Sequence, residues 1–227
     1  ILRYAFFAAA AGGVLALIAL IAGRRLTSVP AVLSLVVLAL SLSFGGYLAN
    51  MVLTAKSVPA IHDITTNVDD LPVFATLTVR PDNLDNIPGM DRADLAALAP
   101  EQRWKAVHRE AYGDIKTIRV GADVPTTLRR AEVLAKLRGW DIAASDPPSG
   151  TLEATATSRF FRFKDDVAVR VRPDPAGPGG SLVDMRSLSR VVTSEPGVNA
   201  PRVRAFPADL SEKPGPLPDG VRRAAAV

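Results

Sequence analysis

The chain has 227 residues and a formal net charge of +4 at pH 7, with 27 Lys and Arg against 23 Asp and Glu. The absence of cysteine excludes disulfide bonds, thiolate nucleophiles and cysteine-ligated zinc. Arg3, Arg24 and Arg25 are the only charged residues before Lys56, so the remainder of the chain is close to neutral. A nucleic-acid-binding protein needs a concentrated basic face, and we therefore predict no nucleic-acid partner.

Two apolar runs, residues 1–22 and 29–53, open the chain. Each has about the 20 residues needed to cross a hydrocarbon core of about 30 Å, where a helix satisfies its own backbone hydrogen bonds. We predict a transmembrane helical hairpin over residues 1–53. A cleaved signal peptide is the alternative for the first run, but that run exceeds a typical apolar region of about 7–15 residues and a second run follows directly.

The charges flanking the runs predict the orientation of the hairpin. Arg24 and Arg25 lie in the short link, whereas Asp63, Asp69 and Asp70 follow the second run. Because basic residues favour cytoplasmic loops, we expect the link in the cytoplasm and the polar domain in the periplasm. The predicted location is an inner, cytoplasmic-type membrane with two spans, in contact with membrane lipids.

Small residues recur four apart in the first run, as Ala8 with Gly12 and Ala9 with Gly13. Such pairs permit close helix approach, either within the hairpin or against a larger membrane complex. Both explanations stay open at this point. The interior of each run has no ionisable residue, so we expect no ion or substrate pathway.

Residues 54–114 contain many turn-forming residues and are predicted to form a juxtamembrane arm, with short helices at 91–98 and 101–112. A more regular domain follows at residues 115–210, and residues 211–227 are predicted to be a flexible tail. In the domain, Asp123 is placed to cap a helix that ends at Gly139. Alternation of apolar and polar residues predicts strands, with a weaker final helix at 197–209. The predicted strands span residues 115–120, 140–144, 151–158, 166–172 and 182–191.

The element order is therefore β-α-β-β-β-β. It predicts an α+β fold, in which an antiparallel sheet carries a helix on its apolar face, after the two-helix transmembrane hairpin.

Three blocks of the chain resemble the DUF1499 family of bacterial and plastid proteins. They are IHDITT at 61–66, FRFKDDV at 161–167 and DMRSLSRV at 184–191, and the resemblance extends over about residues 59–206. Arg162 and Val192 depart from the family pattern, in which we expect a glycine and a single valine. The family has no assigned reaction, so the resemblance implies a module that often accompanies membrane segments and implies no activity.

Charged residues of the last two predicted strands meet on one polar face if these strands pair. Structural ion pairing is the favoured interpretation, since such pairs keep a sheet face soluble. An anion or lipid-headgroup site is the second interpretation, because arginine binds phosphate and carboxylate in a bidentate manner. Catalysis by paired carboxylates is the third. The carboxylates are Asp165, Asp166 and Asp184, and the candidate anion-binding residues are Arg170, Arg172, Arg186 and Arg190.

His62 and Asp63 lie close to other polar residues, but His108 is the only other histidine. Structural hydrogen bonding is the favoured role of His62, with metal binding and catalysis as alternatives. We predict no catalytic residues, no metal and no cofactor. Phe160, Phe161 and Phe163 form the one aromatic cluster of the domain, beside basic residues, and either extend the core or form an interface with headgroups or a partner protein.

Three functions follow as hypotheses. The first is a membrane-anchored, non-enzymatic accessory subunit that binds and stabilises a larger membrane protein complex, with photosynthetic and respiratory complexes as plausible hosts. The second is a binding module for an anionic lipid or amphiphile held between sheet and helix. The third is a hydrolase or metal enzyme that uses His62 with Asp63 or Asp166.

Overall fold

The computed structural model describes residues 2–22, 28–159, 162–191 and 198–211, and the chain divides into two units, Ile1–Val58 and Pro59–Val227. The first unit contains helices α1 (Leu2–Ala22) and α2 (Ser28–Ser57). By length and composition both helices are compatible with membrane spans, over Tyr4–Ile21 and Val29–Asn50. The predicted link with Arg24 and Arg25 and the tail beyond Ser211 lie outside the described residues.

The two apolar helices pack against each other through small residues. A Cβ atom added to Gly12 would lie 3.2 Å from Ser41 Oγ, and one added to Gly13 would lie 3.5 Å from Ser41 Cβ. The small residues of α1 therefore serve the packing of the helix pair itself, which is the first of the two explanations given above. On α2, by contrast, a Cβ added to Gly45 or Gly46 meets no atom within 4 Å.

The second unit is built on a six-stranded sheet with the order β1-β6-β5-β4-β3, in which β2 also pairs with β6, and all the pairings are antiparallel. Four helices accompany the sheet, so the predicted α+β class with an antiparallel sheet is confirmed. The strands are β1 (Asp63–Thr65), β2 (Ile118–Val120), β3 (Asp141–Asp146), β4 (Thr151–Thr157), β5 (Lys164–Pro173) and β6 (Ser181–Ser189). The helices are α3 (Ala93–Ala96), α4 (Pro100–Tyr112), α5 (Val124–Leu137) and α6 (Asn199–Ser211).

Helix α5 has the boundaries that its sequence predicts. The Asp123 side chain accepts a hydrogen bond from Thr126 N at 2.9 Å, which caps the first turn. Gly139, two residues beyond the helix, has a φ of +71°, a left-handed conformation that glycine adopts without strain. Both ends are therefore determined by local side-chain chemistry.

Residues 59–114 are part of the sheet unit, whereas we predicted a juxtamembrane arm over 54–114 of which only the helix at 101–112 packs on the domain. Helix α2 continues to Ser57, and the chain from Pro59 onward belongs to the same unit as the sheet. Ile64 and Trp104 are buried in the same hydrophobic core as Val169 of β5. This segment adds β1 to the sheet, a three-residue strand too short to show a two-residue period in the sequence.

The sheet has one apolar and one polar face, as the alternation in β5 predicts. Val167, Val169 and Val171 join the core together with Leu128 of α5 and Phe206 of α6. The opposite face has charged side chains, of which Asp184 and Arg186 are buried and Arg170 is half-buried, because residues 66–83 lie over this face.

Candidate functional site

The polar face of the sheet is the strongest concentration of buried charge in the described residues. We define it by the side chains of Glu153, Asp166, Arg170, Asp184 and Arg186, which project from β4, β5 and β6. Residues 70–77, here called the cover segment, run across it and are held by these side chains through the contacts described below. The period of two along each strand places the charges on one side.

Asp63 and Arg186 form a buried ion pair between β1 and β6. Arg186 donates from Nε to Asp63 Oδ1 at 2.9 Å and from Nη2 to Oδ2 at 2.6 Å, and Asn83 Nδ2 donates to Oδ2 at 2.8 Å. The side chains are only 9% and 2% exposed. Burial disfavours the Arg186 cation, but the hydrogen bond and charge of Asp63 outweigh burial, so the pKa of Arg186 is raised.

Arg186 also fixes the cover segment. Its Nη1 donates to the carbonyl of Pro72 at 3.5 Å, and its guanidinium carbon lies 5.5 Å from the centroid of the Phe74 ring. A cation over an aromatic face is attracted by the ring quadrupole. One arginine therefore joins two strands to the segment that covers them.

Asp184 collects four donors although its side chain is fully buried. Arg170 Nη2 and Arg172 Nη2 donate to its Oδ2 at 3.0 and 2.6 Å, while Thr66 Oγ1 and Thr117 Oγ1 donate to Oδ1 at 3.1 and 2.5 Å. This number of hydrogen bonds offsets the loss of water around the carboxylate.

Arg170 links the polar face to the cover segment a second time. It donates to both carboxylate oxygens of Asp70, at 2.9 Å each, and to the Asp70 carbonyl at 2.8 Å. The hydrogen bond from Arg170 lowers the pKa of Asp70.

Asp166 is paired with the fourth candidate arginine. Arg190 donates from Nε and Nη2 to its carboxylate at 2.8 Å each, and Thr155 Oγ1 donates to it at 2.9 Å. Each of the four predicted anion-binding arginines thus pairs with a carboxylate of the chain. An external anion at this face would have to displace these carboxylates, so its binding stays a prediction. The pairs are Arg170 and Arg172 with Asp184, Arg186 with Asp63, and Arg190 with Asp166.

Asp165 is not on the polar face, where we placed it together with Asp166. Neighbouring residues of a strand point to opposite sides, and Asp165 faces α6, where Arg202 Nη2 donates to its Oδ2 at 2.8 Å. On the same side of the sheet, Ser187 Oγ donates a hydrogen bond to Asn199 Oδ1 of α6 at 2.6 Å. The two adjacent aspartates therefore serve different packing surfaces.

Glu153 is a residue of this network that sequence reasoning missed. Its carboxylate accepts hydrogen bonds from three consecutive backbone N–H groups, those of Ala75 at 2.7 Å, Thr76 at 2.9 Å and Leu77 at 2.7 Å. Consecutive N–H groups of this kind make an anion-binding concavity, which the chain fills with its own side chain. The donors lie far away along the sequence, so the strand pattern around Glu153 contains no signal for them.

The two histidines occupy separate surroundings. The carbonyl of His62 accepts hydrogen bonds from Ser189 N at 3.2 Å and from Asn199 Nδ2 at 3.0 Å. His108 Nε2 accepts one from Thr65 N at 3.1 Å, and its ring packs between Trp104 and Tyr112 with centroid separations of 5.5 Å on each side. Across the described ranges, no three His, Asp or Glu side chains are grouped in a way that could hold a metal ion.

Burial gives His108 a pH-dependent contribution to stability. Desolvation lowers its pKa from 6.5 to about 4, against a smaller opposing effect of Asp63. Between pH 6.5 and about 4, His108 is protonated in the unfolded chain but neutral in the folded one. Its contribution to the free energy of unfolding is therefore complete above pH 6.5 and is lost as the pH falls to about 4, the pKa of His108 in the folded chain. We expect wild type to lose about 2.5 kcal/mol more than His108→Gln between about pH 7.5 and 4.5.

Urea unfolding of the full chain in detergent at the two pH values measures this difference. Gln keeps an acceptor for Thr65 N without a titratable group, and the carboxylates that protonate in the same range are common to both proteins. Equal losses in the two proteins would contradict a buried neutral His108.

The aromatic cluster is only partly described. Phe163 is 39% exposed, while Phe160 and Phe161 lie outside the described residues. Arg162, the residue that departs from the family pattern, has a φ of +56°. That is the left-handed conformation in which glycine is favoured, and it gives a physical reason for the glycine that we expected at this position of the family pattern.

Comparison with known proteins agrees with the extent of the folded unit. A family model described as a protein of unknown function (DUF1499) matches residues 63–210. The match begins at β1 and ends within α6, so it includes residues 63–114 as well as the sheet that follows. No curated protein matches the chain significantly.

Proposed function

We propose that this chain, which belongs to the DUF1499 family, is a membrane-anchored, non-enzymatic accessory subunit that binds and stabilises a larger membrane protein complex. The observation that carries the proposal is the contrast between its two units. The helical unit exposes a large apolar surface, whereas the charged side chains on the polar face of the sheet unit form ion pairs with one another.

The apolar surface of the helical unit needs lipid or protein around it. Large side chains on both helices are mostly exposed, among them Phe7 at 66%, Leu15 at 66% and Leu42 at 67%. A soluble protein rarely exposes an apolar patch of this extent. Insertion into a bilayer satisfies this surface, and it leaves the helices free to contact a neighbouring membrane protein laterally.

Helix α2 offers a smooth face for such a contact. Ala39, Ser43 and Gly46 follow one another at helical spacing and are exposed, and the space beside Gly46 is open to 4 Å. Small residues let two helix backbones approach closely in a membrane, where packing drives association. Gly12 and Gly13 of α1 are already occupied by Ser41, so α2 is the better candidate for docking.

The sheet unit supports a binding role over a catalytic one. The carboxylates that sequence reasoning offered for acid–base or metal chemistry are bound to different arginines, Asp63 to Arg186 and Asp166 to Arg190, and the backbone carbonyl of His62 accepts a hydrogen bond from Asn199 of α6. A catalytic site needs groups that converge on one reacting atom. The orientation we propose, with the sheet unit in the periplasm, rests on Arg24 and Arg25.

The second hypothesis, an internal site for an anionic lipid or amphiphile, has less support. It requires a cavity between sheet and helix that opens at arginines, yet the candidate arginines are ion-paired. A depression of about 280 Å³ lies elsewhere, between residues 119–121 and the glycine-rich loop at 174–180.

Affinity purification of the full chain from its native membrane, in a mild detergent, tests the proposal. Native mass spectrometry of the wild type is expected to show a stoichiometric complex. Gly46→Leu places a bulky side chain on the smooth face and is expected to lower the recovered complex about tenfold while the chain stays in the membrane. Val37→Leu, a change between large side chains at an exposed position on the opposite face of α2, is the matched control.

Two results would contradict this function. A wild-type chain that purifies alone, with its helices intact in detergent, would argue against an accessory subunit. Full recovery of the complex with Gly46→Leu would argue against docking through this face of α2.

A further inference from the structure

The hairpin between β4 and β5 ends in an exposed basic tip. Phe163 N donates to Ser158 Oγ at 2.8 Å and Ser158 N donates to the Phe163 carbonyl at 2.8 Å, which closes the turn. Arg159, Arg162 and Lys164 are exposed around it, next to the partly exposed ring of Phe163. We call Arg159, Arg162, Phe163 and Lys164 the basic tip.

Within the part of the chain that the structure describes, no acidic side chain neutralises the basic tip. Among the described residues its three cations form no ion pair, in contrast to the arginines of the polar face. The two carboxylates that follow it in the chain are buried and engaged, Asp165 with Arg202 and Asp166 with Arg190. As far as the described ranges extend, three positive charges are therefore available to an external anionic partner.

Arg162 holds its place in the basic tip against a conformational preference. Its φ of +56° disfavours any residue with a Cβ atom, and glycine would relieve the strain. Unfavourable backbone conformations of this kind concentrate at positions that serve a function. The conformation of Arg162 therefore makes this exposed cation a candidate functional residue.

The basic tip lies at the end of the sheet where the chain enters from α2. Ser189 of β6 bonds the carbonyl of His62 on one side and pairs with Asp165 of β5 on the other. Strands lie about 4.8 Å apart, so β5 and the entering chain are separated by roughly 10 Å. Only residues 58–62 connect the end of α2 to β1, and five residues span at most about 18 Å.

We propose that the basic tip docks the sheet unit on the anionic lipid headgroups of the bilayer in which α2 is anchored. This inference rests on the proposed function, since it requires α1 and α2 to be inserted. Helix α2 continues from the end of the span at Asn50 to Ser57, about 10 Å at 1.5 Å per residue, so together with residues 58–62 it allows the basic tip to reach the bilayer surface. Cations there are attracted to anionic headgroups over a Debye length of about 10 Å. Phe163 supplies an aromatic ring suited to the headgroup region.

A single reporter cysteine tests this docking, because the chain has no cysteine of its own. Val191 is 64% exposed, and the residue before it, Arg190, bonds the carbonyl of Lys164 at 3.0 Å. Val191→Cys with an environment-sensitive fluorophore is placed in the full chain. This chain is reconstituted in nanodiscs of phosphatidylcholine, alone or mixed with phosphatidylglycerol, which carry headgroup spin labels that quench nearby fluorophores.

We expect quenching to be severalfold stronger with phosphatidylglycerol and to weaken as salt is raised. The triple variant Arg159→Gln, Arg162→Gln, Lys164→Gln is expected to lose the phosphatidylglycerol-dependent increase. The matched control removes three charges from α5, as Arg129→Gln, Arg130→Gln, Lys136→Gln, and is expected to keep it. Arg162→Gly removes one charge while relieving backbone strain, so a partial loss in this variant has its origin in charge and not in misfolding.

The outcomes separate the two proposals. A chain that inserts in nanodiscs but shows no dependence on phosphatidylglycerol overturns the docking and leaves the accessory-subunit function standing. An increase that persists in the triple variant, or that disappears equally in the α5 variant, also overturns it. A chain whose helices do not insert into either nanodisc overturns the membrane anchor, and with it both proposals.

Discussion

Replacing Arg186 with methionine is expected to destabilise the sheet unit by about 3–5 kcal/mol. The change removes the cation from Asp63, whose side chain is 2% exposed, and leaves a buried carboxylate without its ion-pair partner. It also removes the hydrogen bond to Pro72 and the contact with Phe74, which hold the cover segment. Urea unfolding of the full chain in detergent, followed by tryptophan fluorescence, reports on this unit, because Trp104 and Trp140 both lie in it.

Two further variants show whether the loss comes from the buried charge. Arg204 makes an ion pair of similar geometry with Asp114 at the surface, with side chains 41% and 59% exposed, and Arg204→Met is expected to change stability by at most about 1 kcal/mol. The double variant Asp63→Leu, Arg186→Met removes both charges and is expected to recover most of the loss. If Arg186→Met lowers the free energy of unfolding no more than Arg204→Met does, the buried Asp63–Arg186 pair contributes no more to stability than a surface ion pair.

Replacing Trp104 with alanine is expected to lower the free energy of unfolding by about 3–5 kcal/mol. The side chain is 1% exposed and lies in the common core, and its Nε1 donates to the carbonyl of Asp63 at 3.1 Å. The fluorescence of Trp140, which stacks on Phe206 of α6 at 4.8 Å, reports the transition in the variant.

The result of this substitution distinguishes two descriptions of residues 59–114. If this segment were a separate arm, loss of Trp104 would leave the transition seen by Trp140 unchanged. Trp104→Phe keeps most of the volume and loses the hydrogen bond, so an intermediate loss of stability is expected. Val73→Ala, at a side chain 72% exposed in the cover segment, is the control and is expected to have little effect.

For the polar face, the sequence pattern predicts which side chains share one side of the sheet but not which residues cover them. Alternation in β5 and β6 places Arg170 and Asp184 on one side of the sheet, and the structure brings them together at 3.0 Å. The same alternation, applied to the pair Asp165 and Asp166, should have separated these neighbours. It cannot say what lies over the face, because the partners of Arg186 and Glu153 come from residues 63–77, about one hundred residues earlier in the case of Arg186.

The sequence by itself determined the elements whose causes are local. Two apolar runs of sufficient length predict α1 and α2, Asp123 and Gly139 mark the limits of α5, and a period of two predicts the strands from β4 to β6. Three short blocks were enough for the family. Each of these signals lies within a few residues of the feature it predicts, since helix capping, helix formation and strand alternation depend on near neighbours.

Only the tertiary structure decided how residues 59–114 join the sheet and that the charged face of the sheet is buried. β1 is three residues long and exists because β6 supplies its hydrogen-bond partners. The cover segment has no regular secondary structure of its own, and it is ordered by Glu153, Arg170 and Arg186. Contacts between residues distant in the chain have no local periodicity, so neither feature could be predicted before the strands and this segment were seen together.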